Sequence, residues 1–474
     1  MIFDSTNAHL VPLAGRTMLL HVPTTALFEL DEVAVAVLSL VQAEAGLDAG
    51  QIRRRLSSGL TGEAVGECVD KLIDLHILRP EGESRPINPA GIHVESFPLS
   101  TIVLNVNTGC NLACGYCYKE DLAIPAAGKR MGMEVAARSV DLLLSQAQSR
   151  SAVGIVFFGG EPLTNMPLIR QVVDYAEARG RELGKTVDFS LTTNATLLTE
   201  ELIGYFDAHH FGLSISMDGP RVVHDRNRRT VGGRGTYEVV ARKARMLLAR
   251  YRSKPIGARV TLTAGTTEVE AIHEHLRDGL GFHEVGYAPV TATEKAGHAL
   301  SEAELAEVYA GFERLGGRYL TAALAGGNNG FSNMHQLMTD LHEGRRKALP
   351  CGAGVGLLAV DHQGGLNLCH RFTGSELPTF GDTEHGIATE RLGAFLDRAA
   401  DRSGTHCETC HIRNLCAGGC YHESYVRYGD PHHRTYHYCN LLRRWVDFGI
   451  RVYAEISAHN PDFFSTHLEP RRAA

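Results

Sequence analysis

Tryptophan is almost missing from this chain of 474 residues, which carries a single indole, and aromatic side chains make up only 7% of it. It has no apolar run of the roughly 20 residues that a membrane-spanning helix requires. Its N-terminus does not show the basic-then-apolar order of a secretory signal, so a cytoplasmic protein with no membrane partner is expected. Blocks of like charge are absent as well. The formal charge of −7 provides no basic field to hold a phosphate backbone, and Arg226, Arg228 and Arg229 form only a short local cluster, so nucleic acid is not an expected partner. No low-complexity tract interrupts an ordinary globular balance of 44% apolar and 21% charged residues. The length exceeds one ordinary core, and two or three domains are expected.

Cysteine is plentiful, with eleven residues. In a long chain without a secretory signal, that number points to metal or redox chemistry rather than to a disulfide framework. The distribution supports this. Cys110, Cys114 and Cys117 share one short stretch, while Cys351, Cys369, Cys407, Cys410, Cys416, Cys420 and Cys439 crowd the last part of the chain. Only Cys68 stands alone. It shares a helical face with Val65, Val69, Leu72 and Ile73 and reads as a small core residue.

Hydrophobic periodicity divides the chain into an α/β fold with four parts. Residues 1–95 form a small unit, with strands at 18–22 and 26–30, a helix at 33–41 capped by Asp31, and a second helix around Cys68. Pro80, Pro86, Pro89 and Gly91 then mark a linker, placing a boundary near residue 95. Strands at 101–106, 153–158, 187–191, 212–216, 258–263 and 283–287 alternate with helical stretches, the signature of a parallel sheet covered by helices. Six units are too few for a closed eight-unit barrel, so residues 96–295 should form a partial (β/α)6 barrel, open on one side. Residues 296–350 read as a helical connector broken at 326–330. Residues 351–474 are rich in Gly and His, and are expected to build little core and to rely on metal for folding.

The spacing Cys110-x3-Cys114-x2-Cys117 follows the first strand of the repeat. Three thiolates on one tight loop can hold three corners of a [4Fe–4S] cube and leave the fourth iron open. Zinc also takes thiolates, but a structural zinc site wants four protein ligands, and no fourth is nearby in sequence. Gly159-Gly160-Glu161-Pro162, Thr193-Asn194 and Ser216-Met217-Asp218-Gly219 follow the second, third and fourth strands, at the ends where a barrel gathers its active site. The glycines allow the backbone close to a ligand, and Glu161 can accept hydrogen bonds from an ammonium group. His224-Asp225 reads as a surface pair at a helix start.

These residues resemble the radical S-adenosylmethionine superfamily, whose cluster loop carries an aromatic residue before the last cysteine, matched here by Tyr116. The resemblance implies S-adenosylmethionine chelating the open iron, with Gly159, Gly160 and Glu161 near its amine. In sulfatase-maturing relatives a serine and an arginine contact the cosubstrate, at positions matched by Ser216 and Arg228, while Asn194 is followed by Ala195 where glycine is usual. The C-terminal cysteines resemble the SPASM extension of peptide-modifying enzymes. That implies an outer cluster on Cys407, Cys410, Cys416 and Cys439 and an inner one on Cys351, Cys369 and Cys420, three [4Fe–4S] clusters in all. A pair of zinc knuckles is the alternative for these spacings. His370, His422 or a substrate thiolate are left as candidates for the inner cluster's open corner.

Overall length, the segment 19–31 and the segment 117–122 resemble the family of maturation enzymes of quinohemoprotein amine dehydrogenase. This implies thioether bonds from cysteine sulfur to side-chain methylene carbons of Asp or Glu in the dehydrogenase small subunit. It also implies a winged-helix-like unit, fitting residues 1–95, that grips a leader peptide by strand addition, and an electron donor such as flavodoxin or ferredoxin. His370 stands where sulfatase-maturing relatives have aspartate and is the candidate base. Formylglycine formation, thioether formation in a small peptide, a zinc-stabilised peptide adaptor and an iron–sulfur electron carrier are the rival readings.

Overall fold

The computed structural model describes residues 1–57, 59–82, 86–87, 97–118, 128–147, 150–293 and 296–468. The boundary expected near residue 95, linker residues Pro89 and Gly91, and the stretch 119–122 used in the family resemblance lie outside the described residues.

Short strands and three capped helices build the N-terminal unit. Strands β1 (Ile2–Phe3), β2 (Ala8–Leu13), β3 (Arg16–His21) and β4 (Ala26–Glu29) precede helices α1 (Glu32–Ala43), α2 (Ala49–Leu56) and α3 (Gly62–Asp74), and β5 (Leu78–Arg79) returns to pair with β1. Strands β2, β3 and β4 form an antiparallel sheet in that order, which makes β4 an edge strand. Asp31 starts α1 by accepting from the Ala34 amide at 2.8 Å, and Asp48 and Gln51 close a reciprocal capping box on α2. Val37, Leu38, Val41, Ile52, Val65 and Val69 bury a small core of their own, and Cys68 packs half-buried against it, as its helical spacing predicts.

Strand–helix alternation then raises the main sheet. Strands β6 (Thr101–Asn107), β7 (Ala152–Gly159), β8 (Thr186–Thr193), β9 (Gly212–Ser216), β10 (Ile256–Leu262) and β11 (Glu284–Pro289) are parallel neighbours in sequence order. Between them run α4 (Met133–Gln146), α5 (Met166–Glu182), α6 (Glu200–Ala208), α7 (Arg221–Asn227), α8 (Tyr237–Arg250) and α9 (Val269–Glu274). The six expected units are all present. Phe157, Phe189, Phe206 and Phe211 stack through the interior of the sheet–helix layer.

The last segment departs from expectation. Strand β12 (Leu357–Val360) joins β6 as a seventh parallel strand, with Leu358 opposite Ile102 and Val360 opposite Leu104, and β13 (Leu366–Asn367) folds back antiparallel on it. Helices α10 (Glu302–Leu324) and α11 (Ser332–His342) pack with the C-terminal helix, and α12 (Thr389–Ala400), α13 (Arg413–Cys416), α14 (Tyr421–Tyr428) and α15 (Cys439–His459) follow. Leu358, Val360, Leu366, Phe372, Phe380, Leu396 and Trp445 are buried in the same core as the barrel strands. The expectation of a core-poor segment is therefore corrected. A four-residue apolar run is too short to stand out among glycines, yet strand addition to β6 makes it part of the main sheet.

Candidate active site

The three clustered cysteines sit on the loop leaving β6, and main-chain contacts from two other loops shape it. Gly160 donates to the Asn107 carbonyl at 2.8 Å and Glu161 to that of Gly109 at 3.1 Å, while Ala113 and Gly115 donate to the carbonyls of Arg229 and Asn227. A Cβ on Gly159 would fall 2.2 Å from Asn107 O, and one on Gly160 would fall 2.1 Å from Gly109 O. The two glycines are thus required by the cysteine loop itself, which presses against the end of β7, rather than only by a ligand.

Around this loop, amides and carboxylates form a closed network. Asn194 donates to Asn111 Oδ1 at 2.9 Å and toward Cys110 Sγ at 3.8 Å, and accepts from the Thr196 amide and hydroxyl. Tyr116 donates its hydroxyl to Asp218 Oδ2 at 2.6 Å, and Arg228 Nε donates to the same oxygen at 2.9 Å. Asp218 Oδ1 accepts from the Thr261 amide, and the Asp218 amide faces His224 Nδ1 at 3.4 Å. His224 is fully buried, and burial pulls its pKa down to about 4. The reading of His224 as a surface residue is therefore corrected: its ring props up the Asp218 turn from inside α7.

Glu161 lies buried at the same mouth. Its Oε1 accepts from the Thr193 hydroxyl at 2.7 Å and the Leu163 amide at 3.1 Å, and its Oε2 from the Asn194 amide at 2.8 Å. Burial raises its pKa to about 7, against the pull of those three donors.

A cavity of about 440 Å³ opens over these groups. Cys110, Cys114, Cys117, Tyr116, Gly159, Gly160, Glu161, Asn194, Ser216 and Arg228 all line it, so sequence-distant candidates meet in one place. His370 lines its far side, 4.3 Å from the Phe158 ring between centroids. Arg371 lines it too, donating to Thr291 at 2.7 Å and lying 5.2 Å from the centre of the Tyr118 ring. Arg259 also points into the cavity. Among the described residues neither Arg259 nor Arg371 has a carboxylate partner, whereas Arg228 is neutralised by Asp218. Sequence reasoning passed over Tyr118, Arg259, Thr291 and Arg371. Only the adjacency of Tyr118 to Cys117 and of Arg371 to His370 hinted at two of them.

The remaining cysteines gather in two groups. Cys407, Cys410, Cys416 and Cys439 line one small cavity together with Arg413, Arg434 and Arg443. Cys351, Cys369 and Cys420 lie near enough that the charges of the other two work against ionising Cys351. Tyr118 stands between the sets, close to both Cys117 and Cys369.

Do these thiols suit iron–sulfur clusters? Burial pushes Cys110 up to about 12 and Cys114 up to about 11, with Arg228 pulling the latter back. Thiolates form at such sites beside a strongly cationic centre, as ligated iron provides. A single zinc with Zn–S bonds of about 2.3 Å would draw its sulfurs to about 3.8 Å apart. Among the described residues no three cysteine sulfurs gather within 4.8 Å of one another. In every trio of these sulfurs at least one pair thus lies farther apart than a single zinc ion would hold it. No described helix is long and apolar enough to cross a membrane.

Comparison with known proteins agrees with this geometry. Residues 104–278 match the Radical SAM superfamily. The cysteine-type anaerobic sulfatase-maturating enzyme of Clostridium perfringens is 30% identical over 153 residues, 31% of this chain and 40% of that enzyme, so the chain spans well under half the length of that relative. The serine-type enzyme of Klebsiella pneumoniae is 24% identical over 71% of this chain and 83% of its own. Native anSMEcpe with bound AdoMet superposes with a TM-score of 0.65 at 19% identity, covering 76% of this chain and 100% of that one. Streptococcus suis SuiB bound to precursor peptide SuiA superposes at 0.50 and 16% identity, over 92% of this chain and 98% of that one. Motif, fold and family match agree on the same stretch: residues 104–278 form a radical S-adenosylmethionine domain.

Proposed function

We propose that this protein is a cytoplasmic peptide-modifying enzyme that installs thioether cross-links from cysteine to Asp or Glu in the small subunit of quinohemoprotein amine dehydrogenase. It works with three [4Fe–4S] clusters, S-adenosylmethionine, and electrons from a flavodoxin- or ferredoxin-type donor. When bound, the cluster at Cys110, Cys114 and Cys117 and its cosubstrate supply a 5′-deoxyadenosyl radical. The chain's own residues position that chemistry. Glu161 would offer a carboxylate to the cosubstrate ammonium and Ser216 and Arg228 would hold its carboxylate, while Asp218 orients Arg228 and Tyr116.

The observation that carries the reading is the far wall of the cavity. Arg259 and Arg371, which have no carboxylate partner among the described residues, line the cavity together with His370 and the first cysteine loop. Such a wall suits a substrate carboxylate held so that its neighbouring methylene faces the radical. His370 is the candidate base for the substrate thiol. For the peptide itself, β4 is an edge with no partner strand on its outer side among the described residues, and a groove of about 280 Å³ is lined by Phe28, Leu30, Val33, Cys68 and Leu72. A leader strand added to β4 would lay its side chains there.

Formylglycine formation is the second reading, favoured by the sulfatase-maturating relatives. Mass spectrometry decides between them. Co-expression with the small subunit should yield a product lighter by two hydrogens per linked Cys–Asp or Cys–Glu pair. Conversion of a lone cysteine to an aldehyde, with no linked pair, would instead support the second reading.

A further inference from the structure

Away from the barrel mouth, donors from three distant parts of the chain converge. His9 lies on β2, His411 directly follows Cys410, and Asp447 lies on α15. His9 Nε2 is 3.0 Å from Asp447 Oδ1, and His411 Nε2 is 3.5 Å from the same oxygen. The two imidazoles lie face to face, with centroids 3.8 Å apart and planes 14° apart. All three donor atoms fall within 4.8 Å of one another.

Zinc bound at about 2.0–2.2 Å to nitrogen and oxygen separates its ligands by about 3.3 Å. The measured spacings bracket that edge length. A hydrogen bond accounts for His9 and Asp447 but leaves His411 unexplained: its Nε2 is buried and makes no hydrogen bond of good geometry. A buried nitrogen whose carboxylate neighbour lies at 3.5 Å, outside good hydrogen-bond geometry, is poorly satisfied, and an ion between the donors would satisfy it. His9 and Asp447 are each about a quarter exposed, so an ion can reach them from solvent. The thiols behave oppositely. No three cysteine sulfurs of the described residues gather as tightly as this triad does.

We infer that His9, His411 and Asp447 form a site for one divalent transition-metal ion, with zinc best suited to two imidazole nitrogens, one carboxylate oxygen and a water. The ion ties the sheet of the N-terminal unit to the loop bearing Cys410 and to the helix that begins at Cys439. Neither the radical chemistry nor the substrate cavity depends on it, so the inference stands apart from the proposed function.

The test uses the full chain with its clusters loaded, purified without oxygen and washed with a mild chelator that leaves iron and sulfide content unchanged. Zinc is added alone, and its content is measured after gel filtration, with X-ray absorption at the zinc edge. The expected result is one zinc per chain with nitrogen and oxygen neighbours at about 2.0–2.1 Å. His9→Gln and Asp447→Asn should each weaken binding at least tenfold, with iron content unchanged. Should Asp447→Asn fail to fold, His9→Gln, which keeps an amide on a partly exposed strand, carries the test. Retention of no zinc, sulfur neighbours at about 2.3 Å, or undiminished binding in the variants would each overturn the assignment.

Discussion

The cysteine loop at the barrel mouth and the cysteines of the last segment solve one chemical problem in different ways. On the first loop, ligands close in sequence are framed by amides, hydroxyls and carboxylates: Asn107, Asn111, Asn194, Thr196 and Asp218 bond to the loop or to one another. In the last segment, cysteines far apart in sequence are framed by buried guanidiniums that donate to main-chain carbonyls. Arg402 donates to Lys347 and Ala348, Arg413 to Thr6 and Ile87, and Arg434 to Ala399 and Asp401. Burial, with Arg402 nearby, lowers the Arg413 pKa to about 10. The first arrangement shapes a loop before any metal arrives. The second concentrates positive charge that anionic thiolates offset, so its stability should depend on metal.

The sharpest break between the two regions is chemical. Cys110→Ala should abolish release of 5′-deoxyadenosine, whereas Cys369→Ala should retain part of it and lose cross-linking; chromatography of the nucleoside alongside peptide mass spectrometry measures both. Equal nucleoside release in the two variants would erase the distinction. Next in size is Arg413→Met, which takes the guanidinium donor from the carbonyls of Thr6 and Ile87 and should lower stability by about 3 kcal/mol in chelator-stripped protein. In the cluster-loaded form the loss should be greater, because the variant also removes a cation beside Cys410; denaturant titration of both forms reads this.

A smaller effect concerns pH at the barrel mouth. Glu161 titrates near 7, so its carboxylate, the form that holds an ammonium, is lost as pH falls through that value. Cosubstrate affinity should drop about tenfold between pH 8 and pH 6, and Glu161→Gln should bind weakly at both. Because the folded pKa is raised, the protonated acid favours the cosubstrate-free fold at low pH, and that contribution disappears as pH rises through about 7. Calorimetric titration and thermal melts across this range separate the two trends. The smallest change is Ala195→Gly. Ala195 adopts a left-handed φ of 63°, and relief of that strain, less the entropy glycine loses, should stabilise by about 0.5 kcal/mol in denaturant titration.

Much of this was legible in the sequence because periodicity is a local signal. Strand alternation marks β6 to β11, and the helix at Cys68 follows from one apolar face. The cysteine loop and the glycine, asparagine and serine turns could be placed together because each ends a strand of one parallel sheet. Long-range pairing was not legible. Strand β12 has four residues, and its union with β6 on one side and β13 on the other makes it a strand. His224 looked like a helix-start residue because the turn it supports is brought to it by folding. His9, His411 and Asp447 share no spacing at all, and their meeting required the packing of α15 against β2.

The pairing of β12 with β6 has a mechanical meaning. Both strands run the same way, so the loop holding Cys110 and the turn leading to Cys369 emerge from neighbouring strands at one end of one hydrogen-bonded ladder. Strand β13 then doubles back on β12 before Cys369, so the turn at residues 361–365 fixes the segment carrying Cys369 to the same sheet. If the chain acts on a peptide as proposed, adding or deleting a single residue between Val360 and Leu366 should shift the segment carrying Cys369 against the Cys110 loop, and so alter the product before it alters whether the chain folds.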